Sequence, residues 1–319
     1  MARTLTLPSP GVPGEGEESK IAAMQHLPAS ENFLKIEDEA FCSYSNSRFV
    51  VFAAPYEHTS SYRAGSKAGP AAILTASHFV ELYDEEVDGE PYRNGGICTV
   101  QALDFAGKID DAAVALVEER TKQILADQKF PVMLGAEHTV TLGAVRACSK
   151  MFGKLSVLQI DAHSDLRDKY EGNPYSHASV MARVVKLGVP LTQVGIRAQS
   201  REEAELSKSS PIVHTLYAHQ LKAQPLEKWI ERVIATLGGE VYITIDADGF
   251  DPTVVPSVGT AEPNGLTWNE GLTLLRAVAR AKRVVGFDVV EVAPARDSVL
   301  SEYTLAKLTY KLIAAVSAS

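Results

Sequence analysis

The sequence predicts an α/β fold of three layers, in which helices cover both faces of a mainly parallel central sheet. Short apolar runs alternate with longer segments of helical periodicity along most of the chain, an order typical of parallel sheets. The runs are almost continuously apolar, as expected for strands buried on both faces. A chain of 319 residues with 45% apolar composition can bury a substantial core. We therefore expect a single domain over residues 21–319.

The predicted elements follow one another with short connections. Strands are expected at residues 48–55, 131–138, 155–160, 192–197, 212–216 and 284–292, and in the apolar part of the run 241–251 that precedes Asp246; helices are expected at 71–80, 110–127, 139–150, 176–187, 225–237 and 304–317. Two capping-box patterns, Ser200 with Glu203 and Thr267 with Glu270, mark two further helix starts. The polar segment 83–94 is expected to be exposed.

Composition excludes several kinds of protein. Residues 1–20 are rich in Pro, Gly and Glu and lack the apolar core of a signal peptide, so we expect a disordered tail. No apolar run is long enough to cross a bilayer, and a formal charge of −9 argues against nucleic acid or an acidic membrane as a partner. Three cysteines without metal-binding spacing suit a reducing compartment, which predicts a cytoplasmic location.

Metal-binding side chains follow the run at 155–160. Asp161, His163 and Asp165 are two residues apart, and this spacing places them on one side of an extended chain. In open parallel sheets, ligands bind at the carboxyl ends of the strands. A polar turn after a strand is the alternative for this motif taken alone.

Two other predicted strands end in residues of the same kind. Asp246 and Asp248 follow one, and Glu137 and His138 end another. Four aspartates and two histidines in one place would repel strongly without a cation. Six ligands exceed what one small ion needs, so a pair of divalent ions fits better. Oxygen and imidazole ligands suit Mn²⁺, although they leave nickel, cobalt and zinc open.

Five motifs resemble the signature set of the ureohydrolase family of arginases and agmatinases: LGAEH, DAHSD, DADGFDP, GTAEPNGLT and FDVVEVAP. The resemblance runs from about residue 48 to the C-terminus, and SYRAGSKAGP and YEGNPYSHAS are most similar to the agmatinase branch. It implies an arginase-like fold, a pair of manganese ions and a homo-oligomer, either a trimer or a hexamer.

The resemblance also assigns the site residues. One ion would be held by His138, Asp161, Asp165 and Asp246, and the other by His163, Asp161, Asp246 and Asp248, with Asp161 and Asp246 bridging. His177 would transfer a proton, although a lone histidine at a helix start is otherwise a cap or surface residue. Glu291 would hold the guanidinium group, although it is otherwise a salt-bridged strand end. Asp165 would orient the attacking water.

The implied reaction is hydrolysis of a small cationic guanidino substrate to urea and an amine. Two divalent ions that share a water lower its pKa from about 15.7 toward about 7. The loop LRDKYEGNPYSH lacks the Asn and Ser pattern that binds the α-carboxylate of arginine in arginases. Asp168 and Glu171 would suit an amine end, so agmatine is the expected substrate. Guanidinobutyrate, other guanidino acids and arginine stay open, because Lys169 or Arg63 could receive a carboxylate.

Two hypotheses from other functional classes are kept beside the ureohydrolase hypothesis. A ureohydrolase-like protein could have lost turnover and act as a regulatory binding partner, but such a protein would be expected to lose its ligands first, and all six are present. The Asp-x-Asp pair at Asp246 and Asp248 also occurs in sugar-nucleotide transferases, where it binds one ion through a diphosphate. The two histidines argue against that class.

Overall fold

Eight parallel strands form one sheet in the computed structural model, which describes residues 24–319. They are β1 (Phe49–Ala54), β2 (Ile97–Val100), β3 (Phe130–Gly135), β4 (Leu155–Ile160), β5 (Leu191–Ile196), β6 (Val213–Tyr217), β7 (Glu240–Asp246) and β8 (Arg283–Val290). Their order across the sheet is β2-β1-β3-β8-β7-β4-β5-β6, and each neighbouring pair is parallel. The tail expected at residues 1–20 lies outside the described residues.

Helices connect the strands and cover both faces. They are α1 (Glu39–Cys42), α2 (Gly69–Ser77), α3 (Asp110–Ala126), α4 (Thr141–Met151), α5 (Val180–Lys186), α6 (Arg201–Ser209), α7 (Ala218–Lys222), α8 (Leu226–Thr236), α9 (Trp268–Ala281) and α10 (Leu300–Ser317). Both predicted capping boxes are present, at the starts of α6 and α9. None of the helices within the described residues is long and apolar enough to be a membrane span.

The core is divided between the two faces of the sheet. Along β7, Ile243 and Ile245 belong to the apolar cluster that contains residues of α2, α8, α9 and α10, whereas Tyr242 belongs to the cluster that contains residues of α3, α4 and α5. This alternation is the period-two pattern of a strand buried on both sides. The predicted three-layer α/β/α architecture is therefore confirmed.

The sequence predictions missed some elements and misplaced others. The four-residue strand β2 was not predicted, and neither were the short helices α1 and α7. The expectation that residues 83–94 are exposed is wrong for Asp84 and Tyr92, which are buried. Lys311 of α10 lies 2.8 Å from Asp84, and Tyr310 donates a hydrogen bond to the carbonyl of Leu82 at 2.6 Å. The segment is therefore covered by a helix that is distant in sequence.

The strand order determines where a ligand can bind. The four central strands β3, β8, β7 and β4 are neighbours, and the winding of the chain reverses among them. In open α/β sheets, such a switch point opens a crevice at the carboxyl ends of the strands. Predicted strands 131–138 and 284–292 in fact end at Gly135 and Val290, and β7, which was expected to stop before Asp246, includes that residue as its last. Their polar last residues therefore lie in the turns that line this crevice.

Candidate metal centre and active site

A cavity of about 270 Å³ lies at the carboxyl ends of the central strands. Its inner wall is formed by residues that follow β3, β4, β7 and β8, together with the loop before α5: His138, His163, Asp165, His177, Asp246, Asp248 and Glu291. Asp161 lies directly beneath them, fully buried. The structure therefore brings all the predicted site residues together.

The first group of possible metal ligands surrounds His138. Its Nδ1 atom lies 3.0 Å from Asp165 Oδ2, 3.2 Å from Asp161 Oδ2 and 3.4 Å from Asp246 Oδ2. The atom is buried and makes no hydrogen bond within the described part of the chain. A buried, unpartnered imidazole nitrogen facing three carboxylates is the donor set expected around a divalent cation.

The second group shares Asp161 with the first. His163 Nδ1 lies 3.0 Å from Asp248 Oδ2 and 3.7 Å from Asp161 Oδ1. Ligand atoms of His163, Asp161 and Asp248 all lie within 4.8 Å of one another, as do those of His138, Asp161 and Asp246. The donors therefore fit two adjacent ions with Asp161 between them. That Asp246 also bridges stays a prediction.

Charge crowding in the cluster shifts the pKa values of its members. Burial, followed by the charges of Asp248 and Asp161, raises the pKa of Asp246 well above its ordinary value. Burial and the charge of Asp161 raise the pKa of Asp165 to about 6. Burial alone would lower the pKa of His138, but the three carboxylates outweigh it and raise that pKa well above the usual value. A divalent cation bound among these side chains would offset their crowded negative charge.

The backbone is strained at two of the candidate site residues. Asp165 and Glu291 have φ values of 51° and 65°, in the left-handed region that residues other than glycine rarely adopt. Such strain persists where the surroundings impose it and is common at functional sites. Glu291 is held by its N–H, which donates to the Ala136 carbonyl at 2.7 Å, and by its Oε1, which accepts from the His138 N–H at 2.7 Å.

The Glu291 carboxyl is poised for a cationic ligand. Burial, followed by the charge of Glu137, raises its pKa to about 8. Its Oε1 is engaged by the His138 backbone, which leaves Oε2 for a ligand in the cavity. A guanidinium group placed there would form charge-assisted hydrogen bonds and favour the ionised carboxylate.

The tautomer of His138 is fixed by the contact of its Nε2 atom with Thr244, since the other ring nitrogen, Nδ1, faces the carboxylates. Thr244 on β7 donates its only hydroxyl hydrogen to Asp288 Oδ1 at 2.6 Å, so its oxygen accepts from His138 Nε2–H at 2.9 Å. The Asp288 carboxylate also accepts from Thr141 and Tyr242. His138 Nδ1 is therefore unprotonated in the neutral ring, with its lone pair toward the carboxylates, which is the form that binds a metal.

A model of the arginase family, described as "Arginase family", matches residues 47–315 of this chain. The chain belongs to the arginase family. The resemblance of the five sequence motifs and the expected arginase-like fold are thereby confirmed.

Several arginase-family relatives span nearly the whole chain. N(1)-aminopropylagmatine ureohydrolase of Synechocystis sp. is 43% identical over 284 residues, 87% of this chain and 92% of that protein. Agmatinase of Halalkalibacterium halodurans is 34% identical over 262 residues, 80% of this chain and 87% of that protein. The crystal structure of agmatine ureohydrolase of Thermoplasma volcanium superposes with a TM-score of 0.78 at 33% identity, covering 90% of this chain and 94% of that one.

The outer wall of the cavity in this arginase-family chain differs from the sequence prediction. Asp168 points away from it and is exposed, with Arg183 Nη2 at 2.7 Å and Lys186 as a second partner. Neither Asp168 nor Glu171 lines the cavity, so the expectation that they suit the amine end of a substrate is wrong. The loop places Asp168 against the basic side chains of α5 instead.

Two arginines and two tyrosines form the outer wall instead: Arg63, Arg167, Tyr62 and Tyr170. The guanidinium carbon of Arg167 lies 5.3 Å from the centre of the Tyr170 ring, and its Nε lies 3.7 Å from the buried Glu203. Arg63 is exposed and has no carboxylate within ion-pair distance among residues 24–319. Lys169 does not line the cavity, whereas Arg63, which the sequence left open, does.

Sequence reasoning gave no role to two residues next to the catalytic candidates. Glu137 is fully buried and accepts hydrogen bonds from Thr59 and Thr139, and Thr59 contacts His177. The only available signals were the Glu before His138 in LGAEH and the hydroxyl-rich loop HTSSY. Neither signal indicates that Thr59 contacts His177, which lies 118 residues later in the sequence.

Replacing Thr244 with valine should weaken metal binding by about 10- to 100-fold, the usual effect of losing the partner that orients a histidine ligand. The substitution leaves His138 Nε2–H buried without an acceptor and frees the ring to turn. Ion content after dialysis against a graded series of chelator concentrations measures the change. Thr141→Val is the matched control, because the Thr141 hydroxyl also donates to Asp288, at 2.9 Å, but makes no hydrogen bond to the His138 ring within the described residues. Equal ion retention by both variants would contradict the assigned tautomer.

Proposed function

We propose that this chain is a binuclear-metal ureohydrolase that cleaves the guanidino group of a small cationic amine, with agmatine as the substrate. The observation that carries the proposal is one cavity in which two adjoining groups of metal ligands face Glu291 and His177. The relatives named agmatinase and aminopropylagmatine ureohydrolase support the same reaction class. Neither a silent binding protein nor a sugar-nucleotide transferase accounts for this whole set of residues.

A guanidinium carbon is stabilised by resonance and reacts slowly with water at neutral pH. The metal pair, when bound, supplies a nucleophilic water and positive charge opposite the charge that develops on the substrate. Glu291 Oε2 holds the planar guanidinium in place through charge-assisted hydrogen bonds. Asp165, whose carboxylate lines the cavity beside His138, accepts a proton from the attacking water and orients it.

Cleavage of the carbon–nitrogen bond releases an amine that must gain a proton. His177 lines the cavity and lies directly before α5. It donates that proton, so the products are urea and putrescine. The proton and the nucleophile are thus positioned by different elements of the fold, and the reaction needs the side chains of all these elements to be correctly placed.

The remaining features of the proposal concern the ions, the assembly and the location. We infer Mn²⁺ in both positions, because oxygen and imidazole ligands suit it. A trimer or hexamer follows from the family resemblance alone. A cytoplasmic location is supported by Cys42, Cys98 and Cys148, which are all free and buried and suit a reducing compartment.

N(1)-aminopropylagmatine is a second candidate substrate, because the relative that shares 43% identity carries that name. Both candidates end in amines. A guanidino acid would have to place its carboxylate against Arg63, because Arg167 is already engaged by Glu203 and Tyr170. Arg63 is exposed, so that ion pair is worth only about 0–1 kcal/mol, which does not offset the desolvation of a carboxylate.

Urea release should be at least about ten-fold faster, as kcat/KM, with agmatine or N(1)-aminopropylagmatine than with arginine or 4-guanidinobutyrate. The comparison uses manganese-loaded protein at one pH, with chelated protein as the blank. Arg63→Ala distinguishes amine substrates from acid substrates. It should leave kcat/KM for the two amines unchanged and lower kcat/KM for arginine and 4-guanidinobutyrate further. No urea from any of the four would overturn the proposed reaction, and a preference for 4-guanidinobutyrate that Arg63→Ala removes would move the assignment to guanidino acids.

A further inference from the structure

We propose that Thr59 and Glu137 are positioning residues that hold His177 in one tautomer, with Nδ1 protonated and Nε2 free to exchange a proton in the cavity. The inference rests on the proposed function, in which His177 is the proton donor. It assigns a role to two residues outside the metal ligands and the substrate carboxylate.

The first step is the fixed direction of the Thr59 hydroxyl. Its Oγ1 donates to Glu137 Oε1 at 2.5 Å. Glu137 is fully buried, and its Oε2 accepts from the N–H groups of His58 and Thr59 at 2.8 and 2.6 Å. Thr139 Oγ1 lies 2.6 Å from Oε1 and 3.1 Å from the Tyr175 carbonyl, so its one hydrogen is best placed on the shorter contact, to Oε1. All four partners of this carboxyl group are donors, so Glu137 acts as an acceptor and the Thr59 hydrogen points toward it.

The second step follows from counting hydrogens. A threonine hydroxyl has one hydrogen, and Thr59 has already used it on Glu137. The same oxygen lies 3.1 Å from His177 Nδ1 and accepts the His177 backbone N–H at 3.0 Å. Nδ1 must therefore be the donor in its contact with Thr59. Ser176 Oγ lies 3.4 Å from the same nitrogen and is the weaker of its two neighbours.

The third step is the consequence for the opposite ring nitrogen. With Nδ1–H turned toward Thr59, the neutral ring has its lone pair on Nε2. That atom lies 3.5 Å from Ser61 Oγ, in the wall of the cavity. In the other tautomer, Nε2 would carry the hydrogen and the lone pair would face Thr59 on Nδ1. With Nδ1–H fixed, Nε2 can take up a proton released in the cavity and then deliver it to the leaving amine, so the tautomer decides whether His177 can act in this way.

The arrangement repeats the one found behind His138. There, Thr244 donates to Asp288 and accepts from His138 Nε2–H. In both places a threonine donates its hydroxyl hydrogen to a buried carboxylate and accepts a hydrogen bond from a histidine ring nitrogen. The ring nitrogen that is left free differs between the two histidines. His138 thereby offers Nδ1 to a metal, whereas His177 offers Nε2 to the substrate.

The test is a double-mutant cycle on the manganese-loaded enzyme with agmatine and N(1)-aminopropylagmatine. Thr59→Val should lower kcat by about 10- to 100-fold with little change in KM or in bound metal, and Thr59→Ser should restore most of the loss. In a His177→Ala background, Thr59→Val should have no further effect on kcat, because its role acts through the missing ring.

The matched control is Thr139→Val, which removes another donor to the same Glu137 oxygen but not a contact with His177. Its effect on kcat should be smaller than that of Thr59→Val and additive with His177→Ala. If Thr59→Val is also additive with His177→Ala, its role is structural and the proposal is overturned. If His177→Ala itself leaves kcat unchanged, His177 is not the proton donor. That result would overturn this part of the proposed function, whereas additivity of Thr59→Val would overturn only the positioning role of Thr59 and Glu137.

Discussion

Asp161→Ala should empty both metal positions and abolish urea release. Asp161 is fully buried, and it is the one carboxylate that belongs to both of the groups of ligand atoms that contain His138 and His163. Its oxygens are aimed by Gln159 Nε2 at 2.7 Å and by the His163 N–H at 2.6 Å. Removing a shared ligand should weaken metal binding by more than the roughly 10- to 100-fold cost of losing a residue that only orients a ligand. Elemental analysis after gel filtration and a urea assay measure the two effects together.

Two variants give this experiment its controls. His177→Ala should retain both ions and lose mainly turnover, since its ring contacts Thr59 rather than the ligand atoms. Asp168→Ala makes the same chemical change as Asp161→Ala, but at an exposed carboxylate paired with Arg183 and Lys186, and should change neither metal content nor rate. A thermal melt checks that each variant is folded. Full metal occupancy in Asp161→Ala would refute the shared position.

The candidate metal ligands could be predicted because their signal is local. Asp161, His163 and Asp165 follow directly after the apolar strand β4, and Asp246 and Asp248 lie at the end of β7 and just after it. A strand end and a spacing of two residues suffice to infer that such side chains converge. The close packing of their turns adds a constraint of its own, since a Cβ on Gly249 would lie 2.8 Å from the backbone nitrogen of Asp161.

The supporting residues could not be predicted, because their partners are distant in sequence. Thr244 and Asp288 lie inside apolar strands that the pattern predicts only as core, and the contact from Thr141 to Asp288 spans 147 residues. Asp168 shows the opposite error. It lies in the functional loop, but its direction depends on the positions of Arg183 and Lys186 on α5. Loop composition alone therefore suggested a substrate contact that the fold does not make.

Glu291→Gln should lower kcat/KM by about two to three orders of magnitude, while metal content stays unchanged. The glutamine keeps the shape of the side chain and an oxygen that can accept the His138 N–H, whose bond to Oε1 measures 2.7 Å. What is lost is the negative charge opposite the guanidinium. Breaking a buried charge pair by neutralising one partner costs about 3–5 kcal/mol, and about 1.4 kcal/mol corresponds to ten-fold in rate.

The loss should appear mainly in binding. Guanidinium ion, used as a competitive inhibitor, should bind the variant more weakly by a similar factor, because it contacts the same carboxylate and undergoes no turnover. Glu171→Gln is the matched control, since it makes the same change at an exposed glutamate with φ of 49° that does not line the cavity. Unchanged inhibition by guanidinium ion in Glu291→Gln would show that another group holds the substrate. The strained backbone at Glu291, with φ of 65°, would then need a different explanation, because orientation of this one carboxylate over the metal centre is what the strain achieves in the proposed reaction.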